Sequence, residues 1–212
     1  MSIVKLNNQA VKNATAFGSI TGLGSMVFIK KLTASSSATL SFVDGTDGVV
    51  LDDTYKEYVF TFKNIHPAND GTGEDVDFTF QVSTNTGSSY GVAITNTHFR
   101  AFNYENASGQ GLGYLSGEDF AQSTSFINVT ENGTSGGAND EHLTGTFHLF
   151  NPSSTTFVKH FISRFNFNTA QDSFQDQYIA GYVNSTSAVD AIQFKYSLGN
   201  IDAGDICLYG IA

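Results

Sequence analysis

From Ser25 onward the chain alternates apolar and polar residues in short runs, and Gly, Asp, Asn and Ser break the alternation at short intervals. A period of two is the signature of strands that bury one face, so the chain reads as a succession of β-strands. Between Glu57 and Asn64, Tyr58, Phe60 and Phe62 share one face while Val59, Thr61 and Lys63 share the other. Between Val76 and Ser83, Phe78, Phe80 and Val82 oppose Thr79 and Gln81. The residues between them, His66 to Gly73, are turn formers, which predicts an antiparallel hairpin with a long loop.

The same parity marks Leu143 to Phe150, with Gly145, Phe147 and Leu149 opposite Thr146 and His148, and Ala191 to Ser197, with Ile192, Phe194 and Tyr196 opposite Gln193 and Lys195. Met26 to Thr33, Ala38 to Val43, Phe157 to Phe165, Tyr178 to Asn184 and Asp205 to Ile211 are also strand-like. About ten strands with no fixed-period repeat predict an all-β fold, a two-sheet β-sandwich or jelly roll. In the last segment a Gly-Asn turn joins two strands as a hairpin, with Ile192, Phe194, Tyr196, Ile206 and Leu208 inward and Cys207 and Tyr209 on the opposite face.

Residues 25–212 are expected to form one β-sandwich domain. Residues 1–24, with Gly18, Gly22 and Gly24, are weakly patterned and read as a flexible N-terminal arm or attachment segment. The polar stretch Asn103 to Glu141, rich in Gly, reads as an elaborated loop region with short strands and as the place for a contact surface.

Composition supports a packed core. Hydrophobic residues make up 40% of the 212, and the 19 Phe supply much of the buried area. Only 14% of residues are charged, and the formal net charge is -10. That balance opposes a phosphate backbone or an anionic bilayer, both of which require clustered Lys and Arg, so nucleic acid and membrane insertion are not expected. The single cysteine, Cys207, rules out an intramolecular disulfide and suits a reducing cytoplasm. Its strand setting predicts a small packed hydrophobe and not a nucleophile. The first ten residues lack the charged start and apolar core of a secretory signal.

Candidate chemistry is sparse. His66, His98, His142, His148 and His160 follow no zinc-binding spacing. His148 and His160 alternate with apolar residues, as strand-surface residues do. The acidic loops at Asp44 and Asp47, at Asp52 and Asp53, and from Asn69 to Asp77 carry oxygens that suit calcium, but without EF-hand spacing they read first as turns. No catalytic residue, metal ligand or cofactor is assigned, and the chain is not expected to be an enzyme.

Several stretches resemble a widespread family of β-rich virion structural proteins of tailed bacteriophages, abundant in marine phages. The resemblance is carried by Met26 to Phe42, Asp53 to Phe60 with Asn64 to Asp70, Gly145 to Lys159, and Ala191 to Ile211. Its most specific part is the pattern S-x-G-N-I-x-x-G-x-I-x-L-Y-G-I over Ser197 to Ile211, and it leaves out Asn103 to Glu141. It implies a virion accessory protein, on tail or capsid, assembled in the host cytoplasm and acting through contacts with other virion proteins. Homo-oligomerisation, as a trimer, is expected because virion appendages multiply weak sites by symmetry. Host-surface glycan is a second expected partner class, with the 103–141 loops as its site. A polysaccharide-degrading enzyme on the same scaffold is the remaining alternative, and would need two converging carboxylates.

Overall fold

The structure, a computed structural model, describes residues 25–69, 76–130 and 136–212. The arm expected over residues 1–24 lies outside them, as do residues 70–75 of the third acidic loop. The described residues form twelve strands and one turn of 3-10 helix, with no α-helix among them. The expected all-β, two-sheet sandwich is the observed fold.

The larger sheet has eight strands, all antiparallel. In chain order they are β1 (Met26–Thr33), β3 (Glu57–Pro67), β5 (Ile94–Tyr104), β6 (Gln110–Tyr114), β8 (Leu143–Phe150), β9 (Lys159–Thr169), β10 (Ser173–Val183) and β12 (Ile201–Ile211). Across the sheet they run β1-β12-β3-β8-β9-β10-β5-β6. The smaller sheet is β2 (Leu40–Val43), β11 (Ala191–Tyr196), β4 (Phe78–Ser83) and β7 (Ile127–Asn128), in that order.

Aromatic rings fill the space between the sheets. From the smaller sheet, Phe42, Phe78, Phe80 and Phe194 reach toward Phe60, Phe62, Phe147 and Phe161 of the larger, and all eight are buried. Phe194 lies 5.7 Å from Phe60, 5.0 Å from Phe62 and 6.2 Å from Phe147 between ring centroids. These are edge-to-face contacts, the geometry that the ring quadrupole favours. Each such ring contributes roughly 1.5–3 kcal/mol by leaving water.

Two expected pairings are corrected by this arrangement. The runs at 57–64 and 76–83 do not form a hairpin: β3 pairs with β12 and β8 in the larger sheet, and β4 pairs with β11 and β7 in the smaller. Their aromatic faces meet across the core instead, with Phe62 and Phe78 5.9 Å apart. Similarly, the turn at Ser197 to Asn200 joins β11 to β12 in opposite sheets, so the C-terminal segment is a crossover and not a hairpin. The parity of that segment is as read, since Ile192, Phe194, Tyr196, Ile206 and Leu208 are all buried. A strand's apolar face must meet another apolar face, and a second sheet satisfies this better than a neighbour in the same sheet, whose side chains point the same way.

The polar stretch after β5 contributes β6, the 3-10 turn Ser116–Glu118 and β7. Beyond the end of β6 it runs along the edge of β5. Leu115 N–H donates to His98 O at 2.9 Å, and Ile94 and Ser123 exchange backbone bonds at 2.8 and 2.9 Å. The chain then crosses to the smaller sheet, where Gln81 Nε2 donates to the carbonyls of Thr124 and Ser125. This stretch closes one side of the sandwich, and Phe120 packs against the core from it.

Candidate binding face

Alternation gives the larger sheet an inner face on the core and an outer face. The ladder registers sort the outer side chains of β8, β9, β10, β5 and β6 into rows that run across the strands. One row is Thr146, Arg164, Tyr178, Phe99 and Tyr114. The next, two residues along each strand, is His148, Ile162, Ala180 and Thr97. A third contains His160, Tyr182 and Thr95.

A groove of about 340 Å³ opens over the second row, flanked by the first. Thr146, Arg164, Tyr178 and Phe99 form its wall, and His148, Ile162, Ala180 and Thr97 its floor. Phe99 and Ile162 remain 46% and 48% exposed, well above what a strand packed on both faces allows its large hydrophobics. Tyr114, Leu112 and Phe174 extend this exposed apolar surface toward the β6 edge.

The wall is ordered by contacts among its own members. The rings of Phe99 and Tyr178 are stacked, 5.0 Å apart and within 3° of parallel. The Arg164 guanidinium sits 5.1 Å over the Tyr178 ring. Arg164 also donates through Nε and Nη2 to the two carboxylate oxygens of Asp176, at 2.9 and 2.8 Å. This bidentate pair holds the Asp176 carboxyl below the usual range and Arg164 above its own. The Tyr178 hydroxyl donates to Asp176 at 3.1 Å, and desolvation, then the adjacent carboxylate, raises its pKa. On the floor, His148 Nδ1 meets Glu57 Oε1 at 2.7 Å. Arg164 therefore carries its own counter-charge beside the groove.

Behind the same strands the inner face is polar. His98 is buried and its Nε2 bonds Gln177 Oε1 at 2.8 Å, while Arg100 Nη1 donates to Gln175 Oε1 at 2.9 Å. Gln175 Nε2 continues to Ser173 Oγ at 3.2 Å, and Thr169 and Ser173 share a bond of 2.9 Å. Asn96 Nδ2 donates to Glu118 O at 2.8 Å, and the His98 N–H to Asp119 Oδ1 at 3.1 Å. Desolvation pushes the His98 imidazole down to about 4. This network ties β5 to β10 and to the covering stretch.

The remaining candidates are dispersed. His66 lies by Asp202 at 3.5 Å and Ala138 O at 3.1 Å, while His160 tilts over Tyr182 at 5.9 Å. Among the described residues, no three His, Cys, Asp or Glu side chains are grouped to hold a metal ion. Asp44 accepts the Leu51 N–H at 2.8 Å and Asp52 the Thr54 N–H at 2.8 Å, which is turn chemistry. Those bonds to Thr54 lower the Asp52 pKa. Cys207 is buried in β12.

The stretch 103–141, where a contact surface is expected, lies beside this groove. That stretch supplies the rim residues Leu112 and Tyr114, whereas the groove comes from β8, β9, β10 and β5. The parity of β5 hides this in the sequence, because its inner face carries Asn96, His98 and Arg100 and its outer face carries Phe99. Comparison with family models, with curated proteins and with solved structures found no match.

Proposed function

We propose that the chain is a virion structural accessory protein of a tailed bacteriophage, attached to tail or capsid, that works by binding and not by catalysis. The observation that supports a binding role is the outer face of the larger sheet. It carries a preformed groove and a set of exposed rings, among them Phe99, Tyr114 and Phe174, on a scaffold whose rigidity comes from the aromatic core behind it. Large exposed apolar surface of this kind is kept on soluble proteins where something contacts it. The resemblance of Ser197 to Ile211 to the phage family supplies the setting.

In this reading the protein assembles in the host cytoplasm, contacts other virion proteins and self-associates, as a trimer. Mass spectrometry of purified virions tests the assignment, and a particle without this chain overturns it. Light scattering at micromolar concentration tests self-association, with a trimer mass as the expected result.

A further inference from the structure

We propose that the groove across β8, β9, β10 and β5 binds a neutral, linear glycan. The inference rests on the reading above that the outer face is the contact surface, and it names the ligand class.

Four observations lead there. The first is size: at about 340 Å³ the groove falls in the range of small-ligand clefts, roughly 300–1,000 Å³. A protein partner would need on the order of 800 Å² on this side. The second is direction. The groove runs across the strands, so equivalent side chains recur at the inter-strand spacing of about 4.8 Å. Sugar units in an extended chain repeat on a similar step, so successive units meet successive strands.

The third is chemistry. A pyranose offers a C–H face and a ring of hydroxyls. The exposed Phe99 ring and the Ile162 and Ala180 floor suit the first. The Thr97 and Thr146 hydroxyls and the Arg164 guanidinium suit the second. Asp176 engages Nε and Nη2 of Arg164, which leaves the Nη1 protons to donate to a ligand hydroxyl.

The fourth is charge. Arg164 is balanced by Asp176, and the His148 ring bonds Glu57, so the groove presents no unpaired arginine or lysine to an anion. The whole chain carries -10, which repels a polyanion. The occupant that fits both is uncharged.

The test is a titration of the full chain, labelled at Ile and Ala methyl groups, with cellohexaose, maltohexaose and chitohexaose in turn, and with an oligogalacturonate as the acidic control. The expected result is saturable movement of the Ile162 and Ala180 methyl signals with at least one neutral saccharide. Phe99→Ala should weaken that binding roughly tenfold or more by removing the exposed ring of the wall. Ala180→Trp, at an exposed position, should abolish it by filling the floor while the cooperative melt is retained. Three results overturn the proposal: no neutral saccharide moves these signals, only the acidic control does, or Ile162→Asp turns an oligomer into a monomer, in which case a second copy covers the face. A chain that binds saccharide but is missing from virions removes the virion reading alone. One that is present in virions but inert to saccharide removes this inference alone.

Discussion

The ring of Tyr55 lies against the α-carbon of Gly210. A β-carbon at 210 would sit 2.2 Å from Tyr55 Cδ2 and 2.4 Å from Cγ, well inside van der Waals contact. Gly210 occupies the inner face of β12, paired with Tyr58, and Tyr55 packs edge to face on Tyr58 at 5.8 Å. The glycine in the terminal pattern is thus required by a ring from the loop before β3. Gly210→Ala is expected to cost about 1–3 kcal/mol, because the ring is forced off its seat. Adding Tyr55→Ala should make the two changes non-additive, with the second costing less than it does alone. Urea melts of the four proteins in this cycle check it, and an unshifted Gly210→Ala midpoint would remove the argument.

Phe194 has three aromatic neighbours across the core, Phe60, Phe62 and Phe147, and stacks beside Phe78 of its own sheet. Phe194→Ala is expected to destabilise by about 3–5 kcal/mol, combining lost burial with the cavity left between two sheets. Phe194→Leu should retain much of that. Thermal or urea unfolding reads the difference, and equal loss in both variants would show that the ring geometry and not its volume is what counts.

His98 is expected to make the fold acid-sensitive. Its folded pKa is about 4 against 6.5 for the free side chain, because burial disfavours the imidazolium. Between those values the unfolded chain takes up a proton that the folded chain does not. Stability therefore rises with pH through this window and falls on acidification from about 6.5 to 4, by roughly 3 kcal/mol in all. His98→Gln should show a flatter profile between pH 7.5 and 4.5 in urea titrations, and parallel profiles for the two proteins would exclude His98 as the cause.

Lys159 is enclosed at the start of β9, with Nζ donating to the carbonyls of Ser185, at 3.0 Å, and Ser187. Desolvation lowers its pKa. Lys159→Met keeps the chain's bulk but leaves both acceptors without their donor, and should cost about 2–4 kcal/mol. Limited proteolysis should then cut the 184–189 loop faster than in the parent protein. Unchanged cutting would mean the loop is held by its other bond, from Val189 N–H to Pro152 O.

The sequence disclosed which residues face inward wherever strands are aromatic on one side. Tyr58, Phe60, Phe62, Phe78, Phe80 and Phe147 are buried as their parity indicates. It did not disclose partners, because an apolar face specifies that a strand needs a cover but not which strand supplies it. This is why β3 and β4, adjacent in sequence, part into opposite sheets. The groove was hidden for a different reason. In β5 and β10 the buried positions hold Asn96, His98, Gln175 and Gln177, whose polar groups bond one another or the covering stretch. With polar residues inside and Phe99 and Tyr178 outside, hydrophobicity alone assigns the faces the wrong way round.

The division of the larger sheet into two faces also governs how this protein can change over generations. Along β9 every second residue, from Phe161 to Phe167, is committed to the core, and the residues between, from His160 to Asn168, touch only the outer face. Substitutions at the outer positions can alter the lining of the groove without passing through an unfolded intermediate genotype. A library confined to positions 97, 146, 162, 164, 178 and 180 would reshape the groove on an unchanged scaffold.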